Sequence, residues 1–320
     1  TGQMSDSFRV AFTGGPEGDG TVVVKLAATD ETSRGTGVTR GVYLREVTFY
    51  RELRDRIGGP LAVCHLAAYD DAEGWFTLVL EDITGGVQGD QIEGCTPEQA
   101  RAAMLALARI HAPVMGDLAL AAEGWLNQVN PLNQALLTAL LPQFLERYAE
   151  RIAPEHAEVC ERLVEVLDAW ESDRRPPMGL VHGDYRLDNM ILEDSGEVAA
   201  VVDWELCTLG DPRADVGLLL VYWAEEGDTL LPLFEPATMA PGFQSRDEVR
   251  ARYAERSGRD LSEIDFFVAL AYWKLAIILE GVYSRYVKGQ YGKPEAGFEE
   301  FGKNVGRLAE AADAAVDRLG

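Results

Sequence analysis

The chain has 320 residues, 47% of them hydrophobic, a mean hydropathy of −0.10 and a formal net charge of −24 with pI near 4.5. That length builds a sizeable core in one large domain or two lobes, and the acidic balance argues against nucleic acid or an anionic membrane as partner. No apolar run reaches the roughly 18 residues of a membrane span, and the most apolar helix candidate, 266–282, is interrupted by Lys274 and Glu280.

The four cysteines (Cys64, Cys95, Cys160, Cys207) form no C-x-x-C pair and no disulfide framework. Reduced thiols and the absence of a signal-peptide pattern together lead to an expected cytoplasmic location. Basic residues are 24 Arg and only 5 Lys, so a lysine inside an apolar strand stands out.

In chain order, residues 7–12 alternate as a strand, a turn-rich stretch follows at 14–20, and TVVVKLAA at 21–28 is a strong strand. Gly2-Gln3-Met4-Ser5 reads as the tip of an earlier hairpin, so a truncated N-terminus is expected. Residues 41–57 form a helix in which Val42, Glu46, Phe49 and Leu53 make one stripe. Glu46 interrupts that apolar face, and a buried carboxylate needs a partner. Lys25 in the preceding strand is suitable in type, although a strand-edge lysine and a stripe-edge glutamate could each simply reach water. Gly35, Gly37 and Gly41 are spaced G-x-G-x-x-x-G without the strand–helix setting of a dinucleotide fingerprint, and that stretch is read as a mobile loop.

Residues 61–69 and 75–80 are two further strands around a turn, after which the strand signal stops at 81–86. Thr96-Pro97-Glu98-Gln99 starts a helix with a capping box and proline at its first position. Helices are expected at 96–112, 131–150, 154–171, 216–223, 260–287 and 298–319, with a short charged helix opened by the capping box Ser245 to Glu248. A β-rich part followed by a helical one describes an α+β chain of two lobes, 1–82 and 83–320.

The densest chemistry lies in VHGDYRLDNMILEDSGEVAAVVDW, residues 181–204. Two apolar runs flank Glu193-Asp194-Ser195-Gly196-Glu197, which reads as a hairpin. A hairpin brings its outer ends together, so Asn189 and Asp203 should be neighbours. Two oxygen ligands there, with Asp184 in the loop before them, suit a hard cation such as Mg²⁺ and the layout of a phosphoryl-transfer site. An Asp after Gly is more commonly a turn residue. Joint occurrence with Asn189, Asp203, Lys25 and Glu46 weighs against that plainer reading.

These stretches, with LEDITGG, ARIHA, the run AVVDWELCTLGDPRADVGLLLVYW and AYWKLAIILEGVYSRYVKGQYG, resemble the aminoglycoside and choline phosphotransferase branch of the protein-kinase-like fold. Within it the likeness is greatest to the phosphotransferase domains attached to some acyl-CoA dehydrogenases. The resemblance implies a bilobal fold with a small β-rich N-lobe and a larger helical C-lobe, and ATP or GTP with Mg²⁺ as cofactors. It implies Asp184 as catalytic base, Asn189 and Asp203 as metal ligands, and Lys25 on the α/β-phosphates, paired with Glu46. It also implies Glu81 and Ile83 as the adenine-facing hinge, and Ser5 and Ser7 in the phosphate-covering loop. His182 and Asp215 would support the catalytic loop, and Glu205 would reach metal through water.

The acceptor would be a small-molecule hydroxyl: an amino sugar, a choline-like alcohol or a hydroxyacyl compound. Aromatic and acidic side chains near it would come from Trp223, Glu225, Glu226, Tyr272, Trp273, Glu280 and Tyr283. A nucleotide-binding module without turnover is the alternative, and only eleven residues between Asp203 and Asp215 leave little room for a protein-substrate platform.

Overall fold

The computed structural model describes residues 4–126 (without 16, 17 and 92), 178–228, 237–287 and 298–319, and isolated positions between 142 and 165. The helices expected at 131–150 and 154–171 fall outside the described residues.

Four strands, β1 (Ser5–Gly15), β2 (Gly18–Ala27), β3 (Cys64–Asp70) and β4 (Trp75–Glu81), form an antiparallel sheet in the order β1-β2-β4-β3. The β-branched run of β2 lies inside it, pairing Val24 with Phe8 on one side and Val79 on the other. Alternation then decides which side chains face the packed helix. Lys25 shares its side with Val23 and Ala27, opposite Val22 and Val24. Gly2 and Gln3 are outside the described residues, but the chain is anchored from Met4 onward. Met4 O accepts from Ala28 N at 3.1 Å and from the Tyr43 hydroxyl.

The glycine-spaced stretch is not a mobile loop: Glu31–Thr39 is a helix, α1. Asp30 caps it by accepting from Ser33 N at 2.7 Å. Gly37 is required there by packing, because a Cβ would lie 2.4 Å from the Tyr43 ring.

The helix expected at 41–57 is continuous but not uniform. It runs as α2 (Val42–Thr48), then a π-turn (Phe49–Leu53) and one 3-10 turn (Arg54–Arg56). The stripe is buried as its spacing requires, with Val42, Glu46, Phe49 and Leu53 each at most 1% exposed. The π-turn stacks Phe49 on Trp204, with centroids 4.0 Å apart and planes 7° from parallel.

The hairpin of residues 190–201 gains a third strand that the sequence pattern does not reveal. With β6 (Gly179–Val181) preceding it, β5 (Gly86–Gln88), β7 (Met190–Glu193) and β8 (Val198–Val201) form a sheet in the order β5-β7-β8. β6 pairs separately with β9 (Thr208–Gly210). Around these lie α3 (Pro97–His111), α4 (Leu118–Ala121), α5 (Arg213–Val221), α6 (Arg246–Ser257), α7 (Ile264–Val287) and α8 (Phe298–Asp317). Both expected capping boxes are present, Thr96 with Gln99 and Ser245 with Glu248. The chain is therefore α+β, an N-terminal antiparallel sheet followed by a helical part.

One hydrophobic core runs through both parts. The sequence reading found no membrane-length stretch, yet Ile264–Ser284 is long and apolar enough by length and composition, its mean hydropathy reaching 1.6 over 18 residues. Lys274 and Glu280 are too few to lower that average. In the fold, α7 packs against α5 and α8, with Ala269, Trp273 and Ala276 all buried.

Candidate active site

The β7–β8 hairpin does what its spacing predicts. Met190 pairs with Val201, and Val202 N donates to Asn189 O at 2.9 Å, so Asn189 and Asp203 leave the same end of the sheet. Asn189 then reaches back to the loop before it: its Nδ2 donates to Asp184 O at 2.8 Å and to Asp184 Oδ2 at 3.0 Å. With its amide nitrogen so engaged, Oδ1 is the atom of Asn189 suited to a cation. Asp203 has φ 67° and ψ 59°, the one non-glycine residue in the left-handed region among the described residues. Such a conformation costs about 1 kcal/mol and is held by the surrounding structure.

The N-terminal sheet closes the site from the other side. Lys25 Nζ lies 2.8 Å from Glu46 Oε2, 2.6 Å from Asp203 Oδ1 and 3.7 Å from Glu205 Oε2. Burial works against the Lys25 charge, but the three carboxylates outweigh it and hold its pKa well above the ordinary lysine value. Burial and repulsion from Asp203 push Glu205 up to about 7. Asp203 is also opposed by burial, yet the attraction of Lys25 leaves it below the usual carboxylate range.

Glu46, Asp203 and Glu205 present carboxylate oxygens all within 4.8 Å of one another. Glu46 and Asp203 bond Lys25 directly; Asp203 and Glu205, with Asn189 leaving the same end of the sheet, are hard oxygen donors that fit Mg²⁺ by their chemistry.

The loop carrying Asp184 is braced from behind. Asp215, in the first turn of α5, accepts from His182 N at 2.6 Å and Gly183 N at 2.9 Å. His111 Nε2 is 3.2 Å from the same carboxylate, and His111 Nδ1 is 2.7 Å from the Tyr253 hydroxyl. Burial opposes the Asp215 charge, but His111 and His182 lower its pKa below the usual value. His182 is fully buried. Its Nδ1 accepts from Asp184 N at 3.2 Å, and its Nε2 is 3.0 Å from Val202 O. The imidazole protonated on Nε2 makes both bonds at once, tying the Asp184 backbone to the residue before Asp203. Gly183, at φ 86°, admits no Cβ, which would meet Leu206 O at 2.7 Å.

Other expected residues are placed less centrally. Ser5 and Ser7 lie in β1, where Ser5 is buried against Ala27 and Ser7 pairs with Lys25. Glu81 N donates to Val63 O at 2.8 Å, so its N–H is not the group a base would meet; Ile83 O accepts from Gly86 N at 3.2 Å. Between them Asp82 pairs with Arg9 of β1 at 2.9 Å.

The acceptor-side aromatics are mainly core. Trp223 and Trp273 are 3% and 0% exposed, and Trp223 Nε1 donates to Gln244 O at 2.7 Å. Glu280 is buried as well. Glu225 and Tyr272 line a separate cavity of about 400 Å³ with Arg246, Asp228 and Arg318.

Two cations to which the motifs assign no role lie by Asp184. Arg186 Nε is 3.3 Å from Asp184 Oδ2, and its Nη1 is 2.8 Å from Asp188 Oδ2. Lys274 of α7 donates to Gly183 O. Both were legible as anomalies, Arg186 within the densest motif and Lys274 as a charge in an apolar helix.

The chain has relatives among known proteins. In mouse acyl-CoA dehydrogenase family member 10, 156 residues are 36% identical, covering 48% of this chain and 14% of that protein. In chicken acyl-CoA dehydrogenase family member 11, 155 residues are 34% identical, covering 45% of this chain and 20% of that protein. The chain thus spans a small part of the length of these curated relatives.

Among solved structures, a Ralstonia eutropha JMP134 protein assigned as an aminoglycoside phosphotransferase superposes with TM-score 0.65 at 21% identity, covering 98% of this chain and 93% of that one. The GDP complex of aminoglycoside 2'-phosphotransferase-IIIa gives 0.59 at 13%, covering 98% and 93%. A thermostable mutant of the aminoglycoside phosphotransferase APH(4)-Ia, in complex with AMP-PNP and hygromycin B, gives 0.53 at 13%, covering 98% and 91%. At these identities the likeness is one of fold. Residues 5–267 match the family described as "Phosphotransferase enzyme family", and over that extent the chain belongs to it, a family of enzymes that place phosphate on a hydroxyl of a small molecule.

Proposed function

We propose that the chain transfers the γ-phosphoryl group of ATP, taken up with Mg²⁺, to the hydroxyl of a hydroxyacyl compound. The observation that carries this reading is a single junction. Lys25 of the N-terminal sheet bonds Asp203 at 2.6 Å, while Asn189, at the same end of the hairpin as Asp203, bonds Asp184 at 3.0 Å. Phosphate-neutralising, metal-ligating and proton-accepting groups are thereby held in one place, which is most of what phosphoryl transfer requires of a protein.

In this reading Asp184 orients the acceptor hydroxyl and takes its proton. Lys25, held by Glu46, would leave Asp203 for the phosphates. Asn189 and Asp203 would hold Mg²⁺, with Glu205 reaching it through water. The ion, when bound, offsets phosphate charge. Ile83 N–H would meet the base at the hinge, and Ser5 and Ser7 would border the phosphates.

The choice of acceptor rests on charge. Aromatic faces that would favour a cationic alcohol are committed to the core at Trp223 and Trp273. Two cations, Arg186 and Lys274, flank Asp184, which disfavours a polycationic amino sugar there. Relatives named as acyl-CoA dehydrogenases add support for an acyl compound.

The test is purified protein with Mg-ATP and a panel of hydroxyacyl thioesters, amino sugars and choline-like alcohols, beside Asp184→Asn. We expect acceptor-dependent ADP formation with the hydroxyacyl compounds, lowered about 10²-fold or more by the substitution. Equal rates in the variant would overturn the assignment of Asp184. Turnover on amino sugars alone would overturn the acceptor class.

A further inference from the structure

Asp184 has a backbone support that the Asp215 brace does not supply. Its carboxylate direction depends on the Gly183–Asp184 peptide plane, since Gly183 at φ 86° offers no side chain to wedge. Asp215 holds the N–H groups of His182 and Gly183, both ahead of that plane. The plane itself is gripped at its two ends: Asp184 N–H by His182 Nδ1 at 3.2 Å, and Gly183 C=O by Lys274 Nζ.

Lys274 is an unusual residue for the place. It sits midway along α7, whose neighbouring Trp273 and Ala276 are buried. Burial lowers its pKa, while the carboxylates of Asp184 and Asp215 favour the charge and Arg186 opposes it. Asp215 already has three partners in His182, Gly183 and His111. Asp184 directly follows the carbonyl that Lys274 holds, and its own carboxylate is bonded by Asn189 and faced by Arg186, so Lys274 acts on it through the backbone. Only 5 of the chain's 29 basic residues are lysines; one, Lys25, reaches this centre from the N-terminal sheet, and Lys274 reaches it from the helical part.

We propose that Lys274 is a positioning residue: by holding the Gly183 carbonyl it sets the tilt of the peptide carrying Asp184, and so aims that carboxylate at the acceptor hydroxyl. The proposal rests on Asp184 being the base. It assigns Lys274 no contact with nucleotide, so its loss acts on kcat and spares the KM for ATP.

The experiment compares wild type, Lys274→Met, Lys274→Arg, Asp184→Asn and the double variant Asp184→Asn/Lys274→Met. Readouts are phosphoryl transfer to the acceptor found above, or Mg-ATP hydrolysis where water is the acceptor, together with thermal unfolding. Lys274→Met should lower kcat about 10- to 100-fold with KM for ATP within about twofold, and Lys274→Arg, which keeps a cationic donor, should recover most of the rate. Because Lys274 acts through Asp184, adding Lys274→Met to Asp184→Asn should cost nothing further.

An equal further drop in the double variant would overturn the proposal, as would an unchanged kcat in Lys274→Met or a loss shared equally by kcat and ATP affinity. If Lys274→Met does not fold, Lys274→Gln takes its place under the same criteria. The two readings fail separately. An inactive Asp184→Asn with a fully active Lys274→Met removes only Lys274, whereas an active Asp184→Asn removes the base and this proposal with it.

Discussion

Asp215 shows how much one buried carboxylate can organise. It is 1% exposed and accepts two backbone N–H bonds and one from His111. Burial alone would raise its pKa, but those donors leave it depressed. A depressed folded pKa contributes stability above the unfolded value near 4, and that stability is lost as pH falls through the folded value. Asp215→Asn turns an amide towards the same N–H donors and should cost about 1–3 kcal/mol at pH 7. The gap between wild type and variant in urea midpoints should narrow as pH falls from about 5 towards 3. A gap independent of pH would mean that the carboxylate charge is not what holds the loop. The same logic explains the cluster opposite. Lys25 is tolerated in a β-branched strand because Glu46 and Asp203 bond it directly, and the buried Glu46 would be costly there as an unpaired charge.

At the level of elements, α5 and α7 matter most, since they bring Asp215 and Lys274 to the two sides of one residue, Asp215 to the Gly183 N–H and Lys274 to the Gly183 carbonyl. They meet at Gly217, where an added Cβ would lie 2.5 Å from Phe267 O. In an exposed helix Gly→Ala gains up to about 1 kcal/mol. Here the clash is with backbone, which cannot rotate away, so the overpacking penalty of roughly 1–3 kcal/mol wins. Gly217→Ala should therefore lower the unfolding temperature and reduce kcat more than ATP affinity. A stabilised variant of normal activity would refute the close approach. A second element effect lies in α2, where the π-turn presents Phe49 to Trp204. Trp204 in turn lies 4.5 Å from the His182 ring, a continuous aromatic path from the helix bearing Glu46 to the loop bearing Asp184.

Across the whole molecule, the N-terminal part and the helical part are joined by Lys25 with Asp203 and by Arg45, whose guanidinium donates to the Glu205 carbonyl at 2.7 Å. A nucleotide bound between them must contend with Asp184, Asn189, Asp203 and Glu205 on one wall, in a chain of net charge −24. ATP without a divalent cation should therefore bind weakly. Mg-ATP at about 100 times its Kd should add about 2.7 kcal/mol to stability, seen as a rise in unfolding temperature that EDTA abolishes. An equal rise with ATP in EDTA would argue against carboxylates as the metal site. The core position of Trp223 and Trp273 also belongs to this scale: after α5 and on α7 respectively, both are buried among the helices.

What the sequence determined by itself was whatever short-range geometry controls. Hairpin spacing put Asn189 beside Asp203, the stripe of Val42, Glu46, Phe49 and Leu53 placed a carboxylate on a buried face, and Thr96 and Ser245 marked helix starts. These follow from periods of two and 3.6 residues and from local hydrogen bonding. The third strand β5, the helix α1 across a glycine-rich stretch and the π-turn in α2 escaped, because each depends on a distant surface. β5 is three residues long and exists by pairing with β7, and α1 persists because Tyr43 packs on Gly37. The candidate site divides the same way. Its residue types were legible, but Lys25 meets Asp203 across 178 positions of chain, and Lys274 meets Gly183 across 91. Tertiary structure alone decided those contacts, since only the packing of sheet and helices around one core brings such distant residues within hydrogen-bond reach.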